Sequence, residues 1–325
     1  MIPGKSKPHA PSETVNIAGS ALIFLFWLAL FVSGEPLQVD EKSNSILYKK
    51  QKTALFLAEL GCLKVRIIEN EDVVLNRKLP FGSMIKPFTL YYALRKGKID
   101  ESKVLYCEPS LPTDPAYSRC WYTPGHGRLN CVRALAVSCN RFFYKLSKRL
   151  AYKDYITFLS DFGFDVSNIS RVKDPLKRLK VMIGLEDLLT ETPASLAFRL
   201  AAFFEGGIIY KLNKAEKISL QKIIPLNEEY AGIIRKGMRL GDIDGTSAPE
   251  IPEKLLNLNL WSKTGTIGYN KYLNKTTEEQ NNGLYFAYFI AGNRRYVLLV
   301  ILPGGKGSDA AKVGRELILK FSEPD

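Results

Sequence analysis

The sequence predicts an α/β (α+β) fold: an antiparallel sheet flanked by helices and interrupted by a mostly helical inserted subdomain. Three observations predict it. Apolar and polar residues alternate from Leu256 to Lys263, the period of a strand with one buried face, and this alternation puts Lys263 on the polar side. Apolar runs from Leu284 to Ala291 and from Tyr296 to Leu302 flank Gly292-Asn293-Arg294-Arg295 as a hairpin. The middle of the chain carries apolar residues at helical spacing instead.

Residues 1–34 are set aside as a signal peptide or N-terminal membrane anchor. Ala21 to Val32 carries no charge and follows Lys5 and Lys7, and Val32-Ser33-Gly34 offers small residues for cleavage. Even extended back to Val15 the run is a borderline membrane span. The remainder, residues 35–325, reads as one domain with a helical insertion over roughly residues 98–250. Export places that domain in the periplasm or on the extracytoplasmic face of the cell membrane.

Within the domain, Gln51 to Leu60 has helical spacing and stops at Gly61. Lys64 to Ile68 and Val73 to Leu75 read as two short strands about Glu69-Asn70-Glu71-Asp72. Pro80-Phe81-Gly82 breaks the chain, and Ser83 to Lys96 forms a helix ended by Gly97. Tyr106 to Arg128 is turn-rich, with four prolines. Helices over Cys131 to Val137 and Asn140 to Ala151 meet near Ser138, others follow to Gly206, and Ser308 to Phe321 is an amphipathic closing helix.

Composition narrows the function. With 325 residues, 46% apolar and 24% charged, the chain is a folded protein, not a disordered, collagenous or polytopic membrane one. Its net charge of +13 favours anionic partners, which for an exported protein are envelope polymers and headgroups. No basic and aromatic motif supports nucleic acid.

The five cysteines, at 62, 107, 120, 131 and 139, show no C-x-x-C spacing, and His9 and His126 are the only histidines. No metal site and no cofactor are expected from that spacing. The scarcity of histidine also removes a Ser-His-Asp or Cys-His apparatus. A hydrolase built on this chain takes its base from another residue type. In an oxidising compartment a Cys107–Cys120 disulfide is expected across the Pro-rich loop, with Cys120–Cys131 as the competing pair and Cys139 free.

Ser83-Met84-Ile85-Lys86 puts a hydroxyl and an amine on one helix face, with Lys86 leaning back toward Ser83. That suits nucleophile and base, provided burial or a second cation keeps the amine neutral. Ser170-Arg171-Val172-Lys173 and Ser219-Leu220-Gln221-Lys222 share the spacing, so context must choose. Ser138-Cys139-Asn140 is the one S-x-N in the chain, 55 residues after Ser83; Lys263-Thr264-Gly265 is the one K-T-G, 125 residues further on and followed by Thr266.

In these three motifs the chain resembles the penicillin-binding transpeptidases, serine acyl-transferases that share a fold with serine β-lactamases. The likeness runs from about Gln51 to Phe321. It includes Cys120-Trp121, Gly125-His126-Gly127, Ala134 to Asn140, Ile183-Gly184, Thr192 to Ala197, Gly237-Met238 and Gly245-Thr246. The roughly 50 residues between the apolar run and Ser83 hold no glycosyltransferase and no large pedestal.

The resemblance implies that Ser83 attacks the D-Ala-D-Ala carbonyl of a peptidoglycan stem peptide while Lys86 takes its proton. It implies that Ser138 relays a proton to the leaving D-alanine, that Asn140 holds the substrate amide, and that Lys263 supplies charge. Thr264 and Thr266 would bind the terminal carboxylate of substrate or penicillin, and Gly265 would let the substrate approach the strand edge. The backbone N–H groups of Ser83 and Thr266 would hold the oxyanion. β-Lactams would be covalent inhibitors, and envelope division or elongation proteins would be partners. The competing readings are a β-lactamase, for which Glu186-Asp187-Leu188-Leu189 offers an acidic loop, a β-lactam sensor, and a non-enzymatic scaffold of the cell-wall machinery.

Overall fold

A computed structural model of the chain describes residues 53–213, 216–248, 251–268 and 281–322. The expected export segment lies outside these residues. Among the described residues no helix is long and apolar enough to cross a membrane.

The core is a five-stranded antiparallel sheet in the order β2-β1-β11-β10-β9. Its strands are β1 (Ala54–Glu59), β2 (Lys64–Glu69), β9 (Asn259–Gly268), β10 (Asn281–Ala291) and β11 (Arg294–Pro303). The hairpin expected about Gly292 is β10–β11, with Ala291 opposite Arg294. Three two-stranded ribbons lie between β2 and β9: β3 (Leu79–Pro80) with β6 (Thr190–Glu191), β4 (Leu105–Cys107) with β5 (Gly127–Leu129), and β7 (Ile208–Leu212) with β8 (Ile218–Ile223).

Two local expectations fail at the start of the domain. The segment expected to be a helix from Gln51 is strand β1, paired with β11 on one side and β2 on the other. All six of its residues are buried, so its apolar run is continuous and carries no period that separates strand from helix. Val73 to Leu75, expected as a strand, lies in helix α1 (Glu71–Asn76). Asn70 enters the left-handed region there, with φ 54°, and Glu71 and Asp72 sit in the first turn, where the helix dipole favours acids.

The expected helices of the middle are present. They include α2 (Lys86–Arg95), α3 (Cys131–Ala136), α4 (Asn140–Ser147), α5 (Tyr152–Asp161), α6 (Pro175–Ile183), α7 (Pro193–Ala201) and α8 (Glu228–Asp244). The closing helix is α9 (Gly307–Ser322), packed on β10 and β11. Helix α7 packs on β11, and α8 packs on β9 and α3. Aromatic rings join these layers: Phe88 of α2 meets Phe162 edge-on at 5.3 Å, and Phe56 of β1 meets Phe198 of α7 at 5.4 Å. Such pairs add to the area their rings bury.

This packing corrects the expected exposure of Lys263. Its side of β9 faces the turn before α2, the opposite face meets α8 and α9, and Lys263 is only 2% exposed. Leu256 and Leu258 belong to the helical turn and bend before β9 rather than to the strand.

Candidate active site

Ser83 sits on a single 3-10 turn, Gly82–Ile85, that runs directly into α2 at Lys86. The turn is held by close backbone approach. Gly184, the C-cap of α6 at φ 77°, lies so near that an added Cβ would fall 2.1 Å from the Gly82 carbonyl oxygen. On the other side, a Cβ at Gly265 would meet the Phe81 carbonyl oxygen at 3.1 Å and Met84 at 3.4 Å. The bare side of Gly265 therefore seats the serine turn against β9, and the same glycine borders the cleft described below.

Ser138 follows α3 in the left-handed region, with φ 50°. A non-glycine residue there is strained and persists only when its surroundings over-determine it. Those surroundings are two lysines. Lys86 Nζ donates to the Ser138 carbonyl at 2.8 Å, to Ser138 Oγ at 3.2 Å and to Asn140 Oδ1 at 2.6 Å. Lys263 Nζ donates to Ser138 Oγ at 3.0 Å and to the Thr264 carbonyl at 2.8 Å.

Both lysines are buried, and burial lowers both amines. Lys86 falls to about 8, and Lys263, next to the Lys86 charge, falls well below the usual lysine range. Two neighbouring ammonium ions in a dry site repel, so the site favours one proton fewer than two lysines carry in water. The Ser138 hydroxyl, between the two nitrogens, is placed to pass that proton.

A cleft of about 630 Å³ opens above this pair, lined by Ser83, Ser138, Asn140, Thr264, Gly265 and Thr266. Six of the eight residues singled out in the sequence thus face one space, with Lys86 and Lys263 beneath it. The contacts of Lys86 in this state run to the second motif, and among the described residues it makes no side-chain hydrogen bond to Ser83. The two other Ser-x-x-Lys matches are surface features: Ser170 Oγ bonds the Ser167 carbonyl at 2.9 Å, and Lys222 the Asp161 carbonyl at 2.8 Å.

The cleft also recruits residues to which the sequence reading gave no role. Trp121 forms a wall and donates its indole N–H to the Val137 carbonyl at 2.9 Å, one residue before Ser138. Thr246 accepts a 2.6 Å bond from Thr264 Oγ1. Asn281, Lys306 and Ser308 reach the cleft from β10 and the start of α9; no local spacing marks them. Of the acidic run after Gly184, Leu185 lines the cleft, whereas Glu186 turns to Lys180 at 3.9 Å.

The cysteine expectations need correction. Cys107 and Cys120 are free thiols, and neither pairs with Cys131, whose Sγ turns to the Asp100 carbonyl at 3.7 Å. Instead Cys107, Cys120 and Cys139 converge on His126, with all four ligand atoms within 4.8 Å of one another. The absence of metal-ligand spacing along the chain is therefore no guide here, because four separate points of the chain build the cluster.

Comparison with known proteins agrees with this architecture. The chain is 25% identical over 270 residues to stage V sporulation protein D of Bacillus subtilis, an alignment covering 72% of this chain and 41% of that protein. It is 32% identical over 88 residues to the peptidoglycan D,D-transpeptidase MrdA of Acinetobacter baumannii, covering 26% and 13%. The chain thus spans less than half the length of these relatives. Among solved structures, the transpeptidase domain of Burkholderia pseudomallei penicillin-binding protein 3 superposes with a TM-score of 0.64 at 16% identity, over 85% of this chain and 90% of that one. Helicobacter pylori PBP2, solved in complex with MreC, gives 0.67 at 16% identity, over 84% and 61%. The model of the penicillin binding protein transpeptidase domain matches residues 40–320, and with that match over most of its length the chain belongs to the penicillin-binding protein transpeptidase family.

Proposed function

We propose that this protein is a serine D,D-transpeptidase or D,D-peptidase that acts on D-Ala-D-Ala stem peptides of peptidoglycan through an acyl-enzyme, and that penicillin acylates it at the same serine. The observation that carries this reading is the hydrogen-bonded set Lys86–Ser138–Lys263 lying under a cleft that Ser83 lines.

The geometry supports the following course. Ser83 Oγ forms an ester with the penultimate D-alanine carbonyl while its proton passes to the neutral Lys86 amine. The peptide bond breaks, and the departing D-alanine nitrogen takes a proton relayed through Ser138 Oγ. Charge on the tetrahedral oxygen is held by the backbone N–H groups of Ser83 and Thr266. Lys263 and the hydroxyls of Thr264 and Thr266 form the subsite for the terminal carboxylate, and the Asn140 side chain orients the peptide amide. Transfer to an amine then gives a cross-link, and transfer to water a shortened peptide. A β-lactamase reading fares worse, because Glu186 does not line the cleft and no other acid of its loop does.

We also place the domain on the extracytoplasmic face of the membrane, with residues 1–34 as its signal or anchor, alongside envelope elongation or division proteins. The solved complex of the related PBP2 with MreC supports partners of that kind.

The test is incubation with a defined pentapeptide stem, with and without an amine acceptor, followed by mass spectrometry. A Ser83-linked acyl group and release of one D-alanine are expected. An intact peptide, with penicillin also failing to label the protein, overturns the reading.

A further inference from the structure

We propose that Asp242, a buried acid that does not line the cleft, is a positioning residue for it: through Ser262 and Ser247 it fixes the hydroxyl pair Thr246 and Thr264 at the edge where the substrate carboxylate would sit. The inference rests on the proposed activity, because that carboxylate subsite is part of it. The observations lie on the side of β9 away from the two lysines. Residues two apart on a strand share a face, so Ser262 and Thr264 both look toward α8, whereas Lys263 looks toward Ser138. Each of these hydroxyls meets a hydroxyl from the loop that follows α8. Ser262 Oγ lies 2.7 Å from Ser247 Oγ, and Thr264 Oγ1 lies 2.6 Å from Thr246 Oγ1. Two adjacent rungs thus join the strand to the loop, and the inner one ends on Asp242, whose Oδ1 accepts from Ser262 Oγ at 2.5 Å.

The acid at that end gives the inner rung its direction. Ser262 spends its one hydroxyl proton on Asp242, so it accepts from Ser247. The loop is pressed into place from two further sides. The Thr246 N–H donates to the Ala136 carbonyl at 3.2 Å, and a Cβ at Gly245 would fall 2.5 Å from that same oxygen, at the end of α3 and two residues before Ser138. Arg315 of α9 donates to the Ser247 carbonyl.

With both rungs closed, the Thr246 and Thr264 oxygens stand side by side in the wall of the cleft. When a carboxylate enters, Thr264 can turn its proton to the ligand and accept one from Thr246, an exchange that needs the two oxygens held at bonding distance. Asp242, Ser247 and Ser262 are 0%, 1% and 1% exposed. Burying an acid is costly, and a well-packed apolar residue would hold α8 to β9 at lower cost. What such a residue lacks is the acceptor oxygen that sets the row. Burial also pushes the Asp242 carboxyl up to about 7, so at pH 8.5 it is ionised and can only accept.

The test labels the full chain at pH 8.5 with two probes, a fluorescent penicillin and its carboxylate methyl ester. Loss of the aligned threonine pair should weaken only the probe that carries the carboxylate. In Asp242→Leu and in Ser247→Ala the rate with the acid should fall at least fivefold and the rate with the ester by less than about twofold; if the leucine variant does not fold, the alanine variant carries the same comparison. Asp242→Asn, which keeps an acceptor oxygen for Ser262, should recover most of the acid rate. Thr246→Val should show the same selective loss, and adding Asp242→Leu to it should lower the rate by less than a further twofold, since both act on one row. Equal loss with both probes, no recovery in the asparagine variant, or losses that multiply in the double variant overturn the proposal. Hydrogen exchange read by mass spectrometry supplies an arm that needs no activity: residues 245–248 should exchange at least tenfold faster in Asp242→Leu or Ser247→Ala while β10 and β11 stay protected, and unchanged exchange also overturns it. If neither probe labels the unmutated chain, the enzymatic reading fails, and the exchange of residues 245–248 still decides whether Asp242 holds the row.

Discussion

Ser138 Oγ lies 3.0 Å from Lys263 Nζ although the two residues are 125 positions apart. The bond joins the only left-handed residue of the second motif to a lysine that β9 carries into the interior, and Lys86 shares the same hydroxyl. Lysine usually avoids such burial, because removing its charge from water is costly. The cost is met here by acceptors on both amines and by lowered proton affinity.

The proposed role of Lys86 as base, together with that burial, sets a pH dependence for the proposed acylation of Ser83. Lys86 must be neutral to take the Ser83 proton, and burial brings it down to about 8. The second-order rate of labelling by fluorescent penicillin should therefore climb about tenfold per pH unit below that value and level off above it. Lys86→Arg should hold the rate near zero across the range, since guanidinium does not deprotonate, whereas Lys263→Arg keeps the charge and should retain part of the activity. A flat or falling profile contradicts Lys86 as base.

A second expectation separates Ser83 from the two other serines with the same spacing. Ser83→Ala should abolish covalent penicillin labelling, and Ser170→Ala and Ser219→Ala should leave it unchanged. Peptide mapping of the labelled protein checks the attachment point directly.

The seat of the serine turn can be tested at Gly184. An alanine there would place its Cβ 2.1 Å from the Gly82 carbonyl oxygen at a φ of 77°, so strain and backbone displacement should cost on the order of 3 kcal/mol. Gly97→Ala makes the control: it has a similar φ of 63° and open space around it. Thermal unfolding should show the larger loss at Gly184, and labelling of Ser83 should fall only there.

The buried pair Glu191–Arg199 supports a different prediction. The two charges meet at 3.0 Å with 7% and 6% of their side chains exposed, and burial raises the Glu191 carboxyl while lowering the Arg199 guanidinium. Arg199→Ala leaves an unpaired acid next to β3 and β6 and should cost about 3–5 kcal/mol. Replacing both by apolar residues of similar size, Glu191→Leu with Arg199→Met, should cost less than the single change. Denaturant unfolding of the three variants decides it.

Much of this protein was legible along the chain. Ser83, Lys86, Ser138, Asn140, Lys263, Thr264, Gly265 and Thr266 were marked by order and spacing, and the structure gathers them around one cleft. The β10–β11 hairpin and helix α9 also agreed with their local patterns, because each has one face toward the core and a turn or cap that its own residues specify. Trp121 and Thr246 stood within stretches that resemble the family, but nothing local assigned them to the cleft.

The remaining features depend on what a segment packs against. By itself the sequence marked the three motifs, the antiparallel C-terminal sheet and the helical middle, since these are written in short spacings and in periods of hydrophobicity. Only the tertiary structure decided that the apolar run at Ala54 is a central strand, because a segment covered on both faces loses its period. It alone decided that Lys263 is buried, because the alternation of β9 says nothing of the turn and helices laid over it. And it alone brought Cys107, Cys120, His126 and Cys139 together, since side chains contributed by separate turns have no fixed spacing along a chain, only a fixed distance in space.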